Sequence, residues 1–249
     1  MKTFTPAFIL CFILFPLVLS CTGNRSKEIK GNYVLVNEKI NVSDYEEIVL
    51  EVPANIIYRQ IAQSEPFLQV LVDQNIFPSL DISVQNGRLI IAQKNDSLLK
   101  PTRFTIYANS KNLSKLEVKG NGNIHLENEV NARNMEILIS GTGDLKSDSL
   151  YCENLCIRIK GTGDVEIKGA ATHATFDISG TGDIKAFDCL VSHLDCSIQG
   201  SGDVETSVHE KLNVSISGTG DLLYKGHPES VTTDIRGAGE IRQADLVKN

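Results

Sequence analysis

Apolar and polar residues alternate along most of the second half of the chain. Leu212, Val214 and Ile216, for example, alternate with the polar Asn213 and Ser215. A period of two with one apolar face is typical of a half-buried β-strand. No segment of this half shows the 3.6-residue period of a helix. The pattern therefore predicts an all-β structure and excludes a helical-repeat protein.

A pentapeptide, Gly-x-Gly followed by Asp, Asn or Glu and an aliphatic residue, recurs seven times at spacings of 21, 20, 19, 20, 18 and 19 residues. The apolar columns around it recur with the same spacing, which is typical of coils stacked about 4.8 Å apart. We therefore predict a right-handed parallel β-solenoid, or β-helix, of about 19–20 residues per coil. The glycines of the predicted repeat turns are Gly120, Gly122, Gly141, Gly143, Gly161, Gly163, Gly180, Gly182, Gly200, Gly202, Gly218, Gly220, Gly237 and Gly239.

Each part of the motif suggests a backbone role. Glycine tolerates a positive φ, so we expect paired glycines to form a sharp corner. The acidic residue is interpreted as an Asx-type cap on the N–H groups of its own turn. Stacked carboxylates would repel one another by around 1 kcal/mol per pair in water, so a Ca²⁺ ladder is the alternative interpretation. The residues of this candidate cation ladder are Asp144, Asp164, Asp183, Asp203 and Asp221. No other metal or cofactor is predicted.

The region before the repeat contains further strand-like segments, at 46–51, 55–61, 67–73, 80–84, 88–93 and 103–108. Asn86-Gly87 lies between two of them and predicts a tight hairpin. We interpret residues 45–110 as an all-β cap that continues into the coils of residues 111–249. The two parts form one predicted head domain, residues 45–249.

The amino terminus has the pattern of a secretion signal. Lys2 precedes an apolar stretch that is too short to span a bilayer. We predict a signal peptide over residues 1–20. Because Ser20-Cys21 resembles a bacterial lipobox, we also predict acylation of Cys21. An ordinary secretory signal without acylation is the alternative. A flexible tether is predicted over residues 21–44. These features predict a bacterial cell-envelope lipoprotein of the outer membrane, on its periplasmic face or at the cell surface, held to the membrane by its lipid anchor.

Charge and cysteine content narrow the function. The net charge is −7, which argues against nucleic acid as a partner.

Four cysteines follow Cys21, and a disulfide is possible between two cysteines of the same coil. A disulfide between coils two apart is excluded, because their Cα atoms would lie about 9.6 Å from each other. These cysteines are Cys152, Cys156, Cys189 and Cys196. Two histidine pairs, His173 with His193 and His209 with His227, are predicted to align at polar corners of neighbouring coils.

The repeats from Gly120 to Ile241, with the leading strands and the LIIAQ segment after Asn86-Gly87, resemble the autotransporter-adhesin head domain family, also called the head GIN domain, a domain of unknown function. The resemblance covers roughly residues 45–245. It implies an envelope-located β-solenoid, often a lipoprotein, with a proposed role in adhesion. It brings no catalytic residues.

The leading functional hypothesis is a non-catalytic adhesin or binding module that presents flat solenoid faces to a glycan, or to an envelope or host protein. The first alternative is a carbohydrate-active enzyme, similar to polysaccharide lyases or hydrolases, on a β-helix scaffold. It would use charged residues of one flat face, such as Lys119, Arg158, Lys160 and Asp177. The second alternative is a structural envelope module that assembles end to end. No nucleophile elbow, zinc-protease motif or phosphate loop supports catalysis, so no catalytic residues are assigned.

Overall fold

The computed structural model describes residues 27–244. The predicted signal peptide and Cys21 lie outside these residues. The strands are β1 Lys27–Lys30, β2 Leu35–Asn41, β3 Glu47–Leu50, β4 Asn55–Gln60, β5 Phe67–Asp73, β6 Leu80–Gln85, β7 Arg88–Gln93, β8 Ser97–Lys100, β9 Phe104–Ser110, β10 Lys115–Val118, β11 Asn123–Ile139, β12 Leu145–Ile159, β13 Val165–Ile178, β14 Ile184–Ile198, β15 Val204–Ile216, β16 Leu222–Lys225, β17 Ser230–Ile235 and β18 Ile241–Gln243. In this part of the chain the only helical element is a short 3₁₀ turn, Phe77–Ser79, and no helix is long and apolar enough to cross a membrane.

The strands from β10 to β18 form a parallel stack, which confirms the predicted β-solenoid. Equivalent residues of successive coils are in register, as in the column of Ile139, Ile159, Ile178, Ile198 and Ile216. These side chains are at most 1% exposed. Each coil covers the apolar face of its neighbour, so the stack has one continuous core.

Each of the regular coils contains one long strand between two Gly-x-Gly corners. Strands β11 to β15 each run from one Gly-x-Gly corner to the next without ending. The chain bends inside the strand at register shifts, such as that between Leu126 and Glu129 opposite β12. Asn128 and Gly169 adopt positive φ values at such bends. A bulge bends the strand, and pairing resumes directly beyond it, so no separate turn is needed.

The repeat glycines are required for a different reason from the one predicted. Within residues 27–244, Gly87, Gly169 and Gly226 are the glycines with a positive φ, and none of them belongs to the pentapeptide. A Cβ on Gly141 would lie 1.9 Å from the carbonyl oxygen of Gly120, one coil below. A Cβ on Gly163 would lie 2.0 Å from the carbonyl oxygen of Gly143. The prediction of positive φ was therefore wrong, and the glycines permit close stacking of backbone on backbone at the corners.

The amino-terminal strands close one end of the stack. Parallel strands β3 and β7 continue the coil beyond β10, and β6 covers β7 as an antiparallel hairpin through Asn86 and Gly87, as predicted. Strands β4 and β9 continue β11 in the same way, and β5 pairs antiparallel with β9. The prediction of a flexible tether reaching residue 44 was wrong where the structure describes it. Strand β1 pairs with β8 and strand β2 pairs with β5, and their partly buried residues Ile29, Val36 and Ile40 pack against the core of the cap.

The other end of the stack is open. Strand β17 pairs with β15 on one side, and all six of its residues are exposed. Val231 and Ile235 continue inward-facing columns yet are 44% and 46% exposed, because the described chain places no coil over them.

Candidate binding face

The solenoid presents one regular flat surface, which we call the front face. It consists of the outward side chains of the strand segments that precede each Gly-x-Gly corner. One of its columns contains Lys115, Glu136, Cys156, Thr175, Asp195, Asn213 and Thr232, and the next contains Glu117, Leu138, Arg158, Asp177, Ser197, Ser215 and Asp234. Strand alternation puts these side chains outside while their neighbours fill the core.

The half of the front face near the cap is an ion-pair network. The Lys115 Nζ lies 2.8 Å from Glu136, and the Arg158 guanidinium lies 2.7 Å from Glu136 and 3.4 Å from Asp177. Lys119 pairs with Glu51 at 3.0 Å in the same way. The hydrogen bond from Lys115, with the nearby Arg158, holds the pKa of Glu136 below its usual range despite partial burial. Three of the charged residues suggested for catalysis are therefore engaged in ion pairs.

The half near the open end is a shallow groove of about 270 Å³. Its polar lining is made of short hydroxyl, carboxylate and amide side chains, with the edges of Cys196 and Val214 at its floor. The Nδ2 of Asn213 donates to Asp195 Oδ1 at 2.6 Å, so these two rungs are fixed relative to each other. The polar residues lining the groove are Thr175, Asp177, Asp195, Ser197, Asn213, Ser215, Thr232 and Asp234.

The acidic residues of the repeat form a hydrogen-bonded ladder along one corner. In each coil one carboxylate oxygen accepts the backbone N–H of the equivalent residue in the next coil, for example Asp164 Oδ1 from Asp183 N at 2.9 Å and Asp183 Oδ1 from Asp203 N at 2.8 Å. The ladder begins at Asn123, whose Oδ1 accepts from Asp144, and ends at Glu240. The prediction of a cap within the same turn was wrong: each side chain caps the coil that follows.

Lys185 adds a charge to this ladder. Its Nζ donates to Asp164 Oδ2 at 3.0 Å. Burial alone would raise the pKa of Asp164, but the N–H of Asp183 and the Lys185 ammonium outweigh it, so the pKa lies below its usual range. The carboxylate repulsion expected from the sequence is thus offset by donors on neighbouring coils.

Replacing Asp183 with alanine is expected to lower the free energy of unfolding by about 1–3 kcal/mol, because the N–H of Asp203 loses its acceptor. Asp183→Asn keeps an acceptor oxygen and is expected to lower the free energy of unfolding much less than Asp183→Ala does. Asn123 already fills the same position in the first rung. Urea denaturation of the two variants measures the difference. An Asn variant as unstable as the Ala variant would show that the charge, and not the acceptor, matters.

The Ca²⁺ ladder is the alternative interpretation of these carboxylates, and a titration tests it. One oxygen of each stacked aspartate already accepts a backbone N–H. Among residues 27–244, no group of three or more His, Cys, Asp or Glu side chains is placed to hold a metal ion. We expect calorimetric titration with Ca²⁺ to give no binding heat and no rise in thermal stability. A saturable heat that disappears in Asp183→Asn would restore the cation interpretation.

Of the two predicted histidine pairs, one forms a stack. The rings of His173 and His193 lie 4.9 Å apart in register on β13 and β14. Nε2 of His193 lies 3.4 Å from Glu210, and its Nδ1 is buried without a hydrogen-bond partner. His227 instead lies near Gln243, with Nδ1 3.4 Å from Nε2 of that residue.

The four cysteines in the described part of the chain are free thiols. Cys189 and Cys196 are buried. Burial raises the pKa of Cys152 to about 11 and that of Cys189 to about 12, and it raises the pKa of Cys196 as well. The pKa of Cys156 is also raised by burial, although Arg158 opposes the shift.

We expect iodoacetamide at pH 8 to label Cys156 first in the native protein, because a thiolate is the reactive form, this thiol is partly exposed, and the nearby Arg158 favours its thiolate. Cys189 and Cys196 are expected to react only after denaturation. Peptide mass spectrometry measures the four rates, with the protein in denaturant as the control. Native-state labelling of Cys196 as fast as that of Cys156 would contradict the described packing.

Sequence reasoning missed Asp73, a fully buried carboxylate in the cap. Its Oδ1 accepts the N–H of Tyr33 at 2.9 Å and the hydroxyl of Thr102 at 2.7 Å, and its Oδ2 accepts the N–H of Thr102 at 2.7 Å. Its position at the end of an apolar strand was the available signal. Nothing in the sequence indicates its partners, which are 40 and 29 residues away.

The comparisons with known proteins agree with this architecture. A family model described as "Putative auto-transporter adhesin, head GIN domain" matches residues 44–228. A crystal structure of a putative adhesin from Bacteroides fragilis is similar, with a TM-score of 0.83 and 26% identity, covering 87% of this chain and 100% of that one. So is a putative lipid binding protein from Parabacteroides distasonis, with a TM-score of 0.75 and 30% identity, covering 88% and 100%.

A second protein of Parabacteroides distasonis, a putative adhesin, has a TM-score of 0.73 and 27% identity, again covering 88% of this chain and 100% of its own. A search of curated proteins finds no match. The family model covers most of the chain, including all the coils up to β16. The chain therefore belongs to the family of putative auto-transporter adhesin head GIN domains.

Proposed function

We propose that this protein is a non-catalytic cell-envelope lipoprotein that binds a glycan along the groove of its front face. The observation that carries the proposal is the repetition of short polar side chains on successive rungs, from Thr175 to Thr232 and from Asp177 to Asp234. An adhesin-like family supports a place in the envelope or at the cell surface.

The chemistry of the groove favours a glycan over a protein. Its polar groups are hydroxyls, carboxylates and an amide at regular spacing, which suit a hydrated polymer with closely spaced hydroxyl groups. Protein interfaces concentrate their energy in buried Trp, Tyr or Arg anchors. None of the residues that line the groove is aromatic or basic. Binding of a protein partner is the alternative that the experiment separates.

The charge pairing of the other half of the front face supports a binding role over catalysis. A general acid or base works best with a pKa near the working pH. The pKa of Glu136 is instead lowered by Lys115, and Arg158 is held between two carboxylates.

Membrane attachment through Cys21 is part of the proposal. It rests on the lipobox-like Ser20-Cys21 after the apolar stretch. A solved relative described as a putative lipid binding protein also supports association with lipid. Mass spectrometry of protein extracted from membranes tests it, with an acylated Cys21 at the amino terminus as the expected result.

A glycan array and a pull-down with residues 22–249 test the binding function. The double variant Asp195→Ala/Asn213→Ala removes one hydrogen-bonded pair from the groove and is expected to lose at least tenfold in affinity, since two hydrogen bonds of about 1 kcal/mol are removed. Lys146→Ala/Glu166→Ala, which removes an exposed pair outside the front face, is the matched control. Equal loss in both variants, or capture of proteins with no glycan bound, would overturn the proposal.

A further inference from the structure

The cap exposes apolar side chains at the end of the molecule where the described chain begins. Tyr33 is 84% exposed, and Val34 and Leu98 are each 52% exposed. Tyr33 also has a φ of 63°, a strained value for a bulky residue. Such strain persists only where the surroundings impose it, and it is concentrated at functional sites.

Basic side chains surround these residues. Segments 27–35 and 94–103 contain five basic residues against two acidic ones, in a chain whose net charge is −7. Lys30 and Lys100 share the carboxylate of Glu28, at 3.3 Å and 2.8 Å. We call Lys27, Lys30, Tyr33, Val34, Leu98 and Lys100 the amino-terminal patch.

The patch is held together by backbone contacts. Strand β1 pairs with β8, which sets Glu28 opposite Leu98 and Lys30 opposite Lys100. The N–H of Gly31 donates to the carbonyl of Lys100 at 2.9 Å. The Asp73 carboxylate then binds the backbone of both Tyr33 and Thr102. These contacts bring the exposed aromatic residue beside the lysine-bearing ribbon.

The position of the patch in the chain identifies its partner. Cys21 lies six residues before Lys27, and six residues span at most about 20 Å even when fully extended. An acylated Cys21 would therefore keep the patch next to the bilayer. Aromatic rings with flanking lysines match the headgroup region of an anionic bilayer, where the rings sit at the interface and the ammonium groups meet lipid phosphates.

We propose that the amino-terminal patch docks on the surface of the membrane that holds the anchor, so that the head is oriented and does not hang freely from its acylated cysteine. This inference rests on the lipid anchor of the proposed function. Docking would turn the cap toward the bilayer and leave the open end of the solenoid directed away from it.

The absence of tryptophan from the chain allows a specific test. Tyr33→Trp introduces a single fluorophore in the patch, and Tyr151→Trp places a control at another exposed tyrosine, which is 44% exposed on β12. Each variant is reconstituted as the acylated protein in phosphatidylcholine vesicles with phosphatidylglycerol and with lipids brominated near the headgroup. We expect a blue shift and strong quenching for Trp at 33 and neither for Trp at 151. Leu98→Trp repeats the test if Tyr33→Trp folds poorly.

A binding experiment separates docking from anchoring. The mature chain without acylation is sedimented with the same vesicles, and Lys30→Gln/Lys100→Gln is expected to bind about 30-fold more weakly, from about 1 kcal/mol per lysine near an anionic surface. Lys146→Gln/Lys185→Gln, on the coils, is expected to bind like the parent chain.

Three results would overturn docking. The first is equal quenching of Trp at positions 33 and 151. The second is equal loss of binding in the two lysine variants. The third is the same blue shift with inorganic phosphate alone, which would indicate a simple anion site. Failure of acylation at Cys21 would instead be seen by mass spectrometry, and it would overturn the anchor on which this inference rests.

Discussion

Replacing Gly163 with alanine is expected to disrupt the coil stack and to lower the free energy of unfolding by at least about 3 kcal/mol. The new Cβ would lie 2.0 Å from the carbonyl oxygen of Gly143 and 3.1 Å from a methyl group of Ile139. Neither neighbour can retreat, because backbone hydrogen bonds hold each corner to the next, such as that from Thr162 N to Gly141 O. The adjoining coils would have to separate locally.

Gly87→Ala is the matched control for this substitution. Gly87 has a φ of 73° and nothing within 4 Å of a new Cβ, so its cost is backbone strain alone, about 1–2 kcal/mol. Urea denaturation followed by circular dichroism, with the yield of soluble protein, compares the two variants. If Gly163→Ala is no less stable than Gly87→Ala, close stacking is not the reason for glycine at the corners.

Replacing Asp73 with alanine is expected to release the amino-terminal segment from the cap. Three donors from Tyr33 and Thr102 would lose a buried charged acceptor, and hydrogen bonds to charged groups contribute about 1.5–3 kcal/mol each. We expect a loss of at least about 3 kcal/mol in the local stability of residues 27–35 and 97–103. Hydrogen exchange measured by mass spectrometry reports it, with peptides of β12 to β15 as the internal control.

Asp73→Asn is expected to restore little of this stability. Both carboxylate oxygens accept hydrogen bonds, so an amide would direct its own N–H groups at one of the donors. This contrasts with Asp183, where asparagine keeps the single acceptor that is used. Full protection in Asp73→Asn would show that the carboxylate acts only through its shape.

Because of the Asp73 carboxylate, we expect the local stability of the amino-terminal segment to depend on pH. Burial would raise the pKa of Asp73, but the hydrogen bonds from Thr102, Tyr33 and Arg103 outweigh it and lower the pKa. A carboxylate whose pKa is lowered by folding contributes its full stabilisation at pH values above its pKa in the unfolded chain, which is about 4. This stabilisation is lost as the pH falls through the pKa in the folded state. Protection of residues 27–35 should therefore fall at acid pH in the parent chain, and less steeply in Asp73→Asn.

Much of the fold follows from the period of the sequence, because like residues stack on like residues in a parallel solenoid. The inward column through Ile159 and the hairpin at Asn86-Gly87 were predicted for the physical reasons that the structure shows. The amino-terminal strands were not. Lys27–Lys30 and Leu35–Asn41 are strands through pairing with β8 and β5, and such distant pairing leaves little signal in a short polar segment.

The candidate site was predicted in outline. Alternation places Arg158 and Asp177 on one flat face, but the period cannot indicate that Glu136 pairs with Arg158 across neighbouring coils. The glycine motif was recognised from the sequence, yet its cause is the short distance between the backbones of neighbouring coils, which the spacing of the motif does not specify. Asp164 likewise has its main partner one coil away, at the N–H of Asp183.

The exposed last strand has a consequence for the length of the molecule. Within residues 27–244, strand β17 pairs on one side only and leaves Val231 and Ile235 uncovered, whereas the cap closes the opposite end. A further copy of the coil would pair there and bury these side chains without altering the cap or the amino-terminal patch. Each copy would lengthen the rod by about 4.8 Å. In evolution the coil count can therefore serve as a spacer, setting the reach of the far tip in steps of one rung.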